Sequence, residues 1–208
     1  MLKGTIASKG SALGKAFRLV KPKLKIENTT CDDPQACLDA LNEALEKSTR
    51  DLETLRDKTL ETLDQEHAEI FDAHIQMVHD PEIKSQVKAM IEDGKSAEHA
   101  YETVTNQFID IFENMDDEYF KGRAADIKDI QYRVLSYLLN QPMKDMAAIE
   151  EDTIIFAHDL TPSDTANLDF SVVKGFVTEV GGMTSHTAIM ARAFNIPAIV
   201  GVKDAVDA

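Results

Sequence analysis

The spacing of apolar residues changes period twice along the chain and divides it into three stretches. Near the start, Thr5-Ile6-Ala7 and Ala16-Phe17-Arg18-Leu19-Val20 are short apolar or β-branched runs, separated by the turn-forming Ser8-Lys9-Gly10-Ser11 and Gly14. This pattern predicts two short strands joined by a loop. From Asp33 the period becomes helical, with Leu38, Leu41, Leu45, Leu52 and Leu55 on one stripe and Asp32, Asp33 and Pro34 as start signals. The stripe runs on through Leu60, Leu63, His67, Ile70, Phe71 and His74, with a break expected between residues 60 and 65. Pro81 restarts a helix, Gly94 suits a left-handed end and Ser96 a cap. Ala100, Tyr101, Val104, Phe108, Ile111 and Phe112 mark the next helix, and Ile127, Ile130, Val134 and Leu138 the last, ending near Pro142. Consecutive helices with short connections predict an antiparallel bundle of helical hairpins.

After Lys144 the alternation returns. Residues 152–157 read as a buried strand, and Thr161-Pro162 as the N-cap and first position of a helix. Val172 to Thr178 suggests another strand, residues 186–192 a helix, and Pro197 to Val200 a final strand. The expected architecture is therefore an α/β domain made of residues 1–30 and 144–208, with an all-α bundle of residues 31–143 inserted into it. Hinges are expected at the two crossings, near residues 25–32 and 141–148.

Composition refines this picture. The chain has 208 residues, of which 43% are apolar and 28% charged, an ordinary globular balance. No apolar run has the length of a membrane span and the start lacks a signal peptide, so a cytoplasmic location is expected. The formal net charge of −15 argues against nucleic acid or an anionic membrane as a partner. It is unevenly placed: residues 31–140 hold 11 Lys/Arg against 26 Asp/Glu, whereas residues 1–30 hold 7 against 1. A solvated surface explains such a surplus, and so does a docking surface for a basic partner. Cys31 and Cys37 have no further Cys beside them and are expected to be free thiols; no spacing suggests a metal site.

The candidate chemistry lies in residues 181–192, Gly-Gly-Met-Thr-Ser-His-Thr-Ala-Ile-Met-Ala-Arg. A glycine pair and two hydroxyl residues deliver His186 to a helix N-terminus, where the first amides and the helix dipole favour an anion on the ring. A phosphoryl group is such an anion, and a neutral imidazole at neutral pH is a nucleophile for it. Thr184 and Ser185 can cap the helix or donate to phosphate oxygens. Arg192 lies nearly two turns further on, too far along its own helix to be assumed to reach the site.

This stretch closely resembles the active-site signature of the phosphoenolpyruvate-utilising phosphotransferases in its Enzyme I form. The opening Ala7-Ser-Lys-Gly-Ser-Ala-Leu-Gly-Lys-Ala16 and the segment Leu160-Thr-Pro-Ser-Asp-Thr165 are similar to that family as well. The resemblance implies an α/β phosphohistidine (swivelling) domain with an inserted helical-hairpin bundle, and a phosphotransferase of the sugar phosphotransferase system. It makes His186 the phosphoryl carrier through Nε2, Thr165 the orienter of the other ring nitrogen, and Thr184 and Arg192 accessory residues. Met183 departs from the family's usual arginine, and Ser185 favours Enzyme I over the dikinase and synthase relatives.

In the bundle, Glu66, His67, Glu69, His74, Met77, Asp80 and Glu82 match the region through which Enzyme I binds HPr, its small phosphocarrier protein. Asp116 to Tyr119 and Arg123 to Ile130 also match, with charge spacing that suits surface ion pairs. Family members continue into further strands, a linker and a barrel that binds phosphoenolpyruvate and Mg²⁺ and forms a homodimer. The expectation for this chain is phosphoryl exchange with HPr, with no cofactor of its own and no phosphoenolpyruvate chemistry without that barrel. Alternatives are a paralogue of the nitrogen or dihydroxyacetone branch and a non-catalytic helical binding module.

Overall fold

The computed structural model describes residues 3–141, 149 and 152–207. The chain divides into two units: one takes the chain up to Pro22 together with its C-terminal part, the other starts at Lys23 and ends with the last long helix. The first crossing thus falls ahead of the expected boundary at residue 30. The reason is local bonding: Ser96 N–H donates to Thr29 O, Ser96 Oγ to Asn28 O and Cys31 N–H to Gly94 O, so residues 28–31 are tied to a turn of the bundle. The second crossing, expected near residues 141–148, lies almost wholly outside the described residues.

The first unit is a five-stranded sheet. Its strands are β1 (Thr5–Ser8), β2 (Lys15–Leu19), β3 (Thr153–Ala157), β4 (Val173–Thr178) and β5 (Ala198–Val200), in the spatial order β1-β5-β4-β3-β2. β2 to β5 are parallel neighbours, and β1 closes the far edge antiparallel to β5. The two N-terminal strands therefore never meet; they stand at opposite edges. Helix α6 (Pro162–Ala166) crosses from β3 to β4, and α7 (His186–Ala193) from β4 to β5. Two successive right-handed crossovers moving in one direction along a parallel sheet place both helices on the same face. That face buries Ala7, Ile155, Ala157, Val173, Phe176, Ala198 and Val200 against Leu160, Ala188 and Ala191. On the opposite face Ile6 and Ile199 are exposed, and Ile154, Phe156 and Val177 are partly so.

The second unit contains α1 (Pro34–Thr62), α2 (Gln65–Val78), α3 (Pro81–Glu92), α4 (Ala97–Glu113) and α5 (Glu118–Leu138). Each of the first four starts on a side-chain cap: Asp33, Asp64, Asp80 and Ser96 accept from first-turn amides. Gly94 takes φ +84, the left-handed region that ends α3. The buried seam of α1 runs Leu41, Leu45, Ser48, Leu52, Leu55, Thr59, alternating steps of four and three. The next seam position is Thr59, which leaves Leu60 exposed at 47%, contrary to its expected place on the stripe.

Inside the bundle Arg133, whose side chain is 3% exposed, donates to Asp51 Oδ2 at 2.8 Å, and Tyr137 OH donates to the same oxygen at 2.5 Å. This bond set joins α5 to α1. Burial, and then the bond to the Asp51 carboxylate, push the Tyr137 phenol up to about 12.

Two tests follow from this packing. A Cβ at Gly14 would lie 2.1 Å from the Asp152 carbonyl oxygen, where Lys15 N–H starts the β2–β3 ladder. Gly14→Ala is expected to destabilise the α/β unit by about 2 kcal/mol in denaturant unfolding. For Tyr137 the folded value exceeds the unfolded one, so its contribution to stability is complete below about pH 10 and is lost as pH rises through about 12. Alkaline absorbance titration should show one phenol ionising near that upper value, absent in Tyr137→Phe; ionisation of that phenol near pH 10 would contradict the packing.

Candidate functional site

The loop before α7 is shaped by backbone constraints. Gly181 has φ +104, and a Cβ there would meet Ser185 Oγ at 3.1 Å, so glycine is required. Ser185 is the N-cap: its Oγ accepts from Ala188 N–H at 3.3 Å and donates to Gly182 O at 2.8 Å. The cap consumes Ser185 and puts His186 at the first helical position. Thr184 is exposed in the loop ahead of it. Thr187 is buried and turned to the Leu160 carbonyl at 3.5 Å.

His186 meets Thr165 across the two crossover helices, with Thr165 Oγ1 2.7 Å from His186 Nε2. Thr165 is 1% exposed, and its oxygen is also 3.0 Å from Pro162 O. A hydroxyl has one proton, and a carbonyl can only accept. When that proton goes to Pro162 O, Thr165 accepts from Nε2–H and the ring lone pair is on Nδ1; when it goes to Nε2, the lone pair there is engaged. This differs from the expected arrangement in one respect: Thr165 bonds Nε2 itself, not the other nitrogen. Reaction at Nε2 therefore requires this bond to open first.

The position of Thr165 depends on a short helix with a reinforced start. Thr161 and Asp164 form a capping box, with Thr161 N–H donating to Asp164 Oδ2 at 3.0 Å and Asp164 N–H to Thr161 Oγ1 at 3.3 Å. Lys21, just past β2, brings Nζ to 2.8 Å from Asp164 Oδ2. Arg192 donates from Nη1 to Ala7 O at 3.2 Å, which pins α7 to β1. Around the histidine, Met183 is 50%, Ile189 41% and Val180 38% exposed, an apolar margin where a cation had been the family expectation at position 183.

The seven bundle residues separate into two groups. Glu66, Glu69 and Glu82 are exposed, and His67 is partly so, with Nδ1 2.7 Å from Asp64 Oδ1. The His67 amide, followed by its ring, holds the Asp64 carboxyl below its usual range. Asp80 is the α3 cap, and Met77 packs on the Ile109, Ala124 and Ile127 cluster. His74 is different. It is completely buried, with Nε2 3.2 Å from Asp126 Oδ1, Nδ1 3.9 Å from Asp129 Oδ2 and Phe71 edge-on at 5.9 Å. The expected partner contact at His74 is thus corrected: an imidazole inside the bundle joins α2 to α5 and touches no partner. Asp126 and Asp129 lie against this interior ring, neither of whose nitrogens has a hydrogen-bond partner.

Comparison with known proteins shows the family of the chain. The family model for PEP-utilising enzymes, N-terminal, matches residues 3–123, and that for their mobile domain matches residues 149–208. This chain belongs to the PEP-utilising enzymes. It is 48% identical to a phosphoenolpyruvate-protein phosphotransferase of Enterococcus faecalis over all of its own length, and 47% identical to one of Listeria innocua over 98%. It spans 36% of the length of either relative. A solution structure of an Enzyme I protein superposes with a TM-score of 0.79 at 40% identity, covering 99% of this chain and 84% of that one. The N-terminal domain of a nitrogen Enzyme 1 superposes with a TM-score of 0.64 at 26% identity, covering 97% and 83%.

In this PEP-utilising enzyme chain, sequence reasoning missed Lys21 and Asp164, although Thr161-Pro-Ser-Asp164 carries a legible capping-box pattern. It also passed over Phe112 and Phe120, whose rings stack at 6.0 Å, with Phe120 38% exposed. Helical periodicity assigned Phe112 to a core stripe and carried no sign of a partly open aromatic pair. Among the described residues no group of three or more His, Cys, Asp or Glu could hold a metal ion. Among the described residues no helix is long and apolar enough to cross a membrane.

Removing the Thr165 hydroxyl tests the site geometry directly. In Thr165→Val, ring ¹⁵N shifts of His186 should move from one dominant tautomer to a mixture, with the fold retained by circular dichroism. Unchanged shifts would mean that the 2.7 Å contact does not govern the ring.

Proposed function

We propose that this chain is the phosphoryl-carrying and carrier-binding part of a phosphoenolpyruvate-protein phosphotransferase of the sugar phosphotransferase system. The observation that carries the reading is the Thr165–His186 contact at the start of α7, within the twelve-residue signature. The α/β unit acts as the phosphohistidine domain and the bundle as the HPr dock.

In the proposed step the Thr165 bond opens, and His186 Nε2 attacks the phosphorus of a phosphorylated donor. The N–P bond forms as the donor's bond to phosphorus breaks and the donor leaves with its electron pair. Nδ1 keeps its proton through the attack, so the ring becomes a phosphoimidazolium with a positive charge beside the phosphoryl oxygens until that proton is released to solvent. The first-turn amides and positive end of α7 stabilise those oxygens, and Thr184 is the hydroxyl placed to donate to them. Ser185 is held as a cap and takes no part. Arg192 acts as a positioning residue that fixes α7 on the sheet through Ala7 O.

The dock combines exposed carboxylates with an apolar centre. Glu66, Glu69 and Glu82 supply the acidic rim, and Met77, Phe112 and Phe120 the centre, which suits a carrier with basic residues around an apolar patch. Phosphoenolpyruvate binding, its Mg²⁺ and dimer formation are assigned to the part of the relatives that this chain does not span. The higher identity with the phosphoenolpyruvate-protein phosphotransferase of Enterococcus faecalis, 48%, than with the nitrogen Enzyme 1 domain, 26%, favours HPr over a nitrogen-branch carrier.

Incubation with radiolabelled phospho-HPr should place acid-labile phosphate on His186, and His186→Ala should carry none. Thr165→Val is expected to slow exchange about tenfold. Glu66→Lys with Glu69→Lys should lower the rate of HPr association about tenfold at low salt and much less at high salt. Label on another residue, or labelling only from a nitrogen-branch carrier, would overturn the assignment. Binding of HPr without any labelling of His186 would favour a non-catalytic binding module.

A further inference from the structure

Cys31 and Cys37 form a disulfide, with Cα atoms 6.7 Å apart, which corrects the expectation of free thiols. The sequence alone left the two residues six positions apart with no geometry between them. The turn around Asp33 and Pro34, where Asp33 caps α1, folds the chain back and brings Cys37, in the opening turns of the helix, toward Cys31.

Three features of the surroundings bear on the role of this bond. First, it closes only a seven-residue ring, the size of loop that constrains the unfolded chain least, in a unit that also has helical caps and many buried apolar residues. Second, both residues are partly exposed, which leaves the sulfurs within reach of a small reagent. Third, the bond sits where the chain enters the bundle. Residues 28–31 are held on the α3–α4 turn by Ser96 N–H to Thr29 O, Ser96 Oγ to Asn28 O and Cys31 N–H to Gly94 O. The disulfide adds a covalent tie from the same segment to α1.

We infer that Cys31 and Cys37 are a reversible redox modification site, a thiol–disulfide latch that fixes the entry segment of the bundle when a low-molecular-weight disulfide such as oxidised glutathione is available. The chemistry balances in two exchanges. One cysteine, as its thiolate, attacks a sulfur of the small disulfide; that S–S bond breaks, one small thiolate leaves and a mixed disulfide remains. The second cysteine's thiolate attacks the protein sulfur of the mixed disulfide and expels the other small thiolate. The protein loses two electrons and two protons, and the oxidant gains both as two thiols. With only two cysteines in the chain, no alternative internal pairing competes. A small ring that is accessible and constrains the unfolded chain little is the kind of disulfide that responds to its redox surroundings; a bond required for folding would be locked in.

The test uses the purified chain equilibrated across a series of reduced to oxidised glutathione ratios, then alkylated and weighed intact. The expected result is one cooperative two-electron transition in which both alkyl adducts disappear together, leaving a protein about 2 Da lighter than the unalkylated dithiol. Cys31→Ser and Cys37→Ser should each stop at a single glutathione adduct. Hydrogen exchange should show the Cys31 and Ser96 amides about tenfold better protected in the oxidised form. The latch is overturned by independent glutathionylation of both cysteines, by disulfide-linked dimers, by thiols that persist at every ratio, or by a bond that excess reduced glutathione leaves intact. Equal amide protection in the two forms overturns it as well. None of these readouts involves phosphoryl transfer, so failure here and failure of the phosphotransferase reading are separate results.

Discussion

The hydrogen bond between Thr165 and His186 depends on more of the α/β unit than any other single contact. It joins two short helices, and neither could hold its partner alone: α6 has five residues and α7 eight. Isolated helices of that length are unstable in water, so their positions come from the strands that feed them. β3 and β4 are adjacent and parallel, and both chain segments emerge at the same edge of the sheet. Because both crossovers run the same way, the two helices lie side by side. The 2.7 Å contact is a consequence of strand order before it is a property of either residue.

Secondary contacts limit how far either helix can shift. At α6, the Thr161–Asp164 box and Lys21 fix the first turn, and Lys21 comes from beyond β2 on the other side of β3. At α7, Ser185 and Gly181 fix the approach and Arg192 fixes the far end on β1. Residues from both edge strands therefore constrain a bond near the middle of the sheet. The bond itself is a restraint on reactivity as well as on position, since the nitrogen that it occupies is the one expected to react. Exposed Val180 and Met183 lie on the approach to α7 and exposed Ile189 on its first turn. An arriving phosphoryl group then competes with Thr165 for Nε2.

Much of this was legible in the sequence because it is local. Caps, breaks and the left-handed Gly94 are written in neighbouring residues, and the leucine seam of α1 is visible by spacing alone. Most of the failures share a cause, a dependence on partners distant in sequence; the cysteine pair, six residues apart, is the exception. Leu60 follows the apolar rule but misses the seam by one position, because Thr59 takes the place facing the neighbouring helices. The domain boundary moved to Pro22 because residues 28–31 bond to a turn some sixty residues later. Thr165 was placed correctly beside the histidine but on the wrong nitrogen, since no spacing rule tells one side of an imidazole from the other. The cysteines were judged by count and environment, and the turn that brings them together was not weighed.

His74 shows how the inner face of the bundle can govern its outer one. Placing an imidazole at zero exposure against Asp126 and Asp129 costs desolvation that an apolar residue would avoid, so its presence needs a reason beyond filling space. Neither ring nitrogen has a hydrogen-bond partner, so what ties α2 to α5 here is the proximity of the ring to two carboxylates, which an apolar side chain would not favour. The residues on the outside of α2, among them Glu66, His67 and Glu69, follow the placement of the helix. This separates two requirements on the same helix: a fixed interior polar contact sets where the outer side chains stand, and the outer side chains are then free to differ in chemistry. His67, where the family usually has lysine, is such a difference, and its ring is turned to the Asp64 cap. The acidic face can therefore change individual charges without losing its alignment, because the alignment is held from inside.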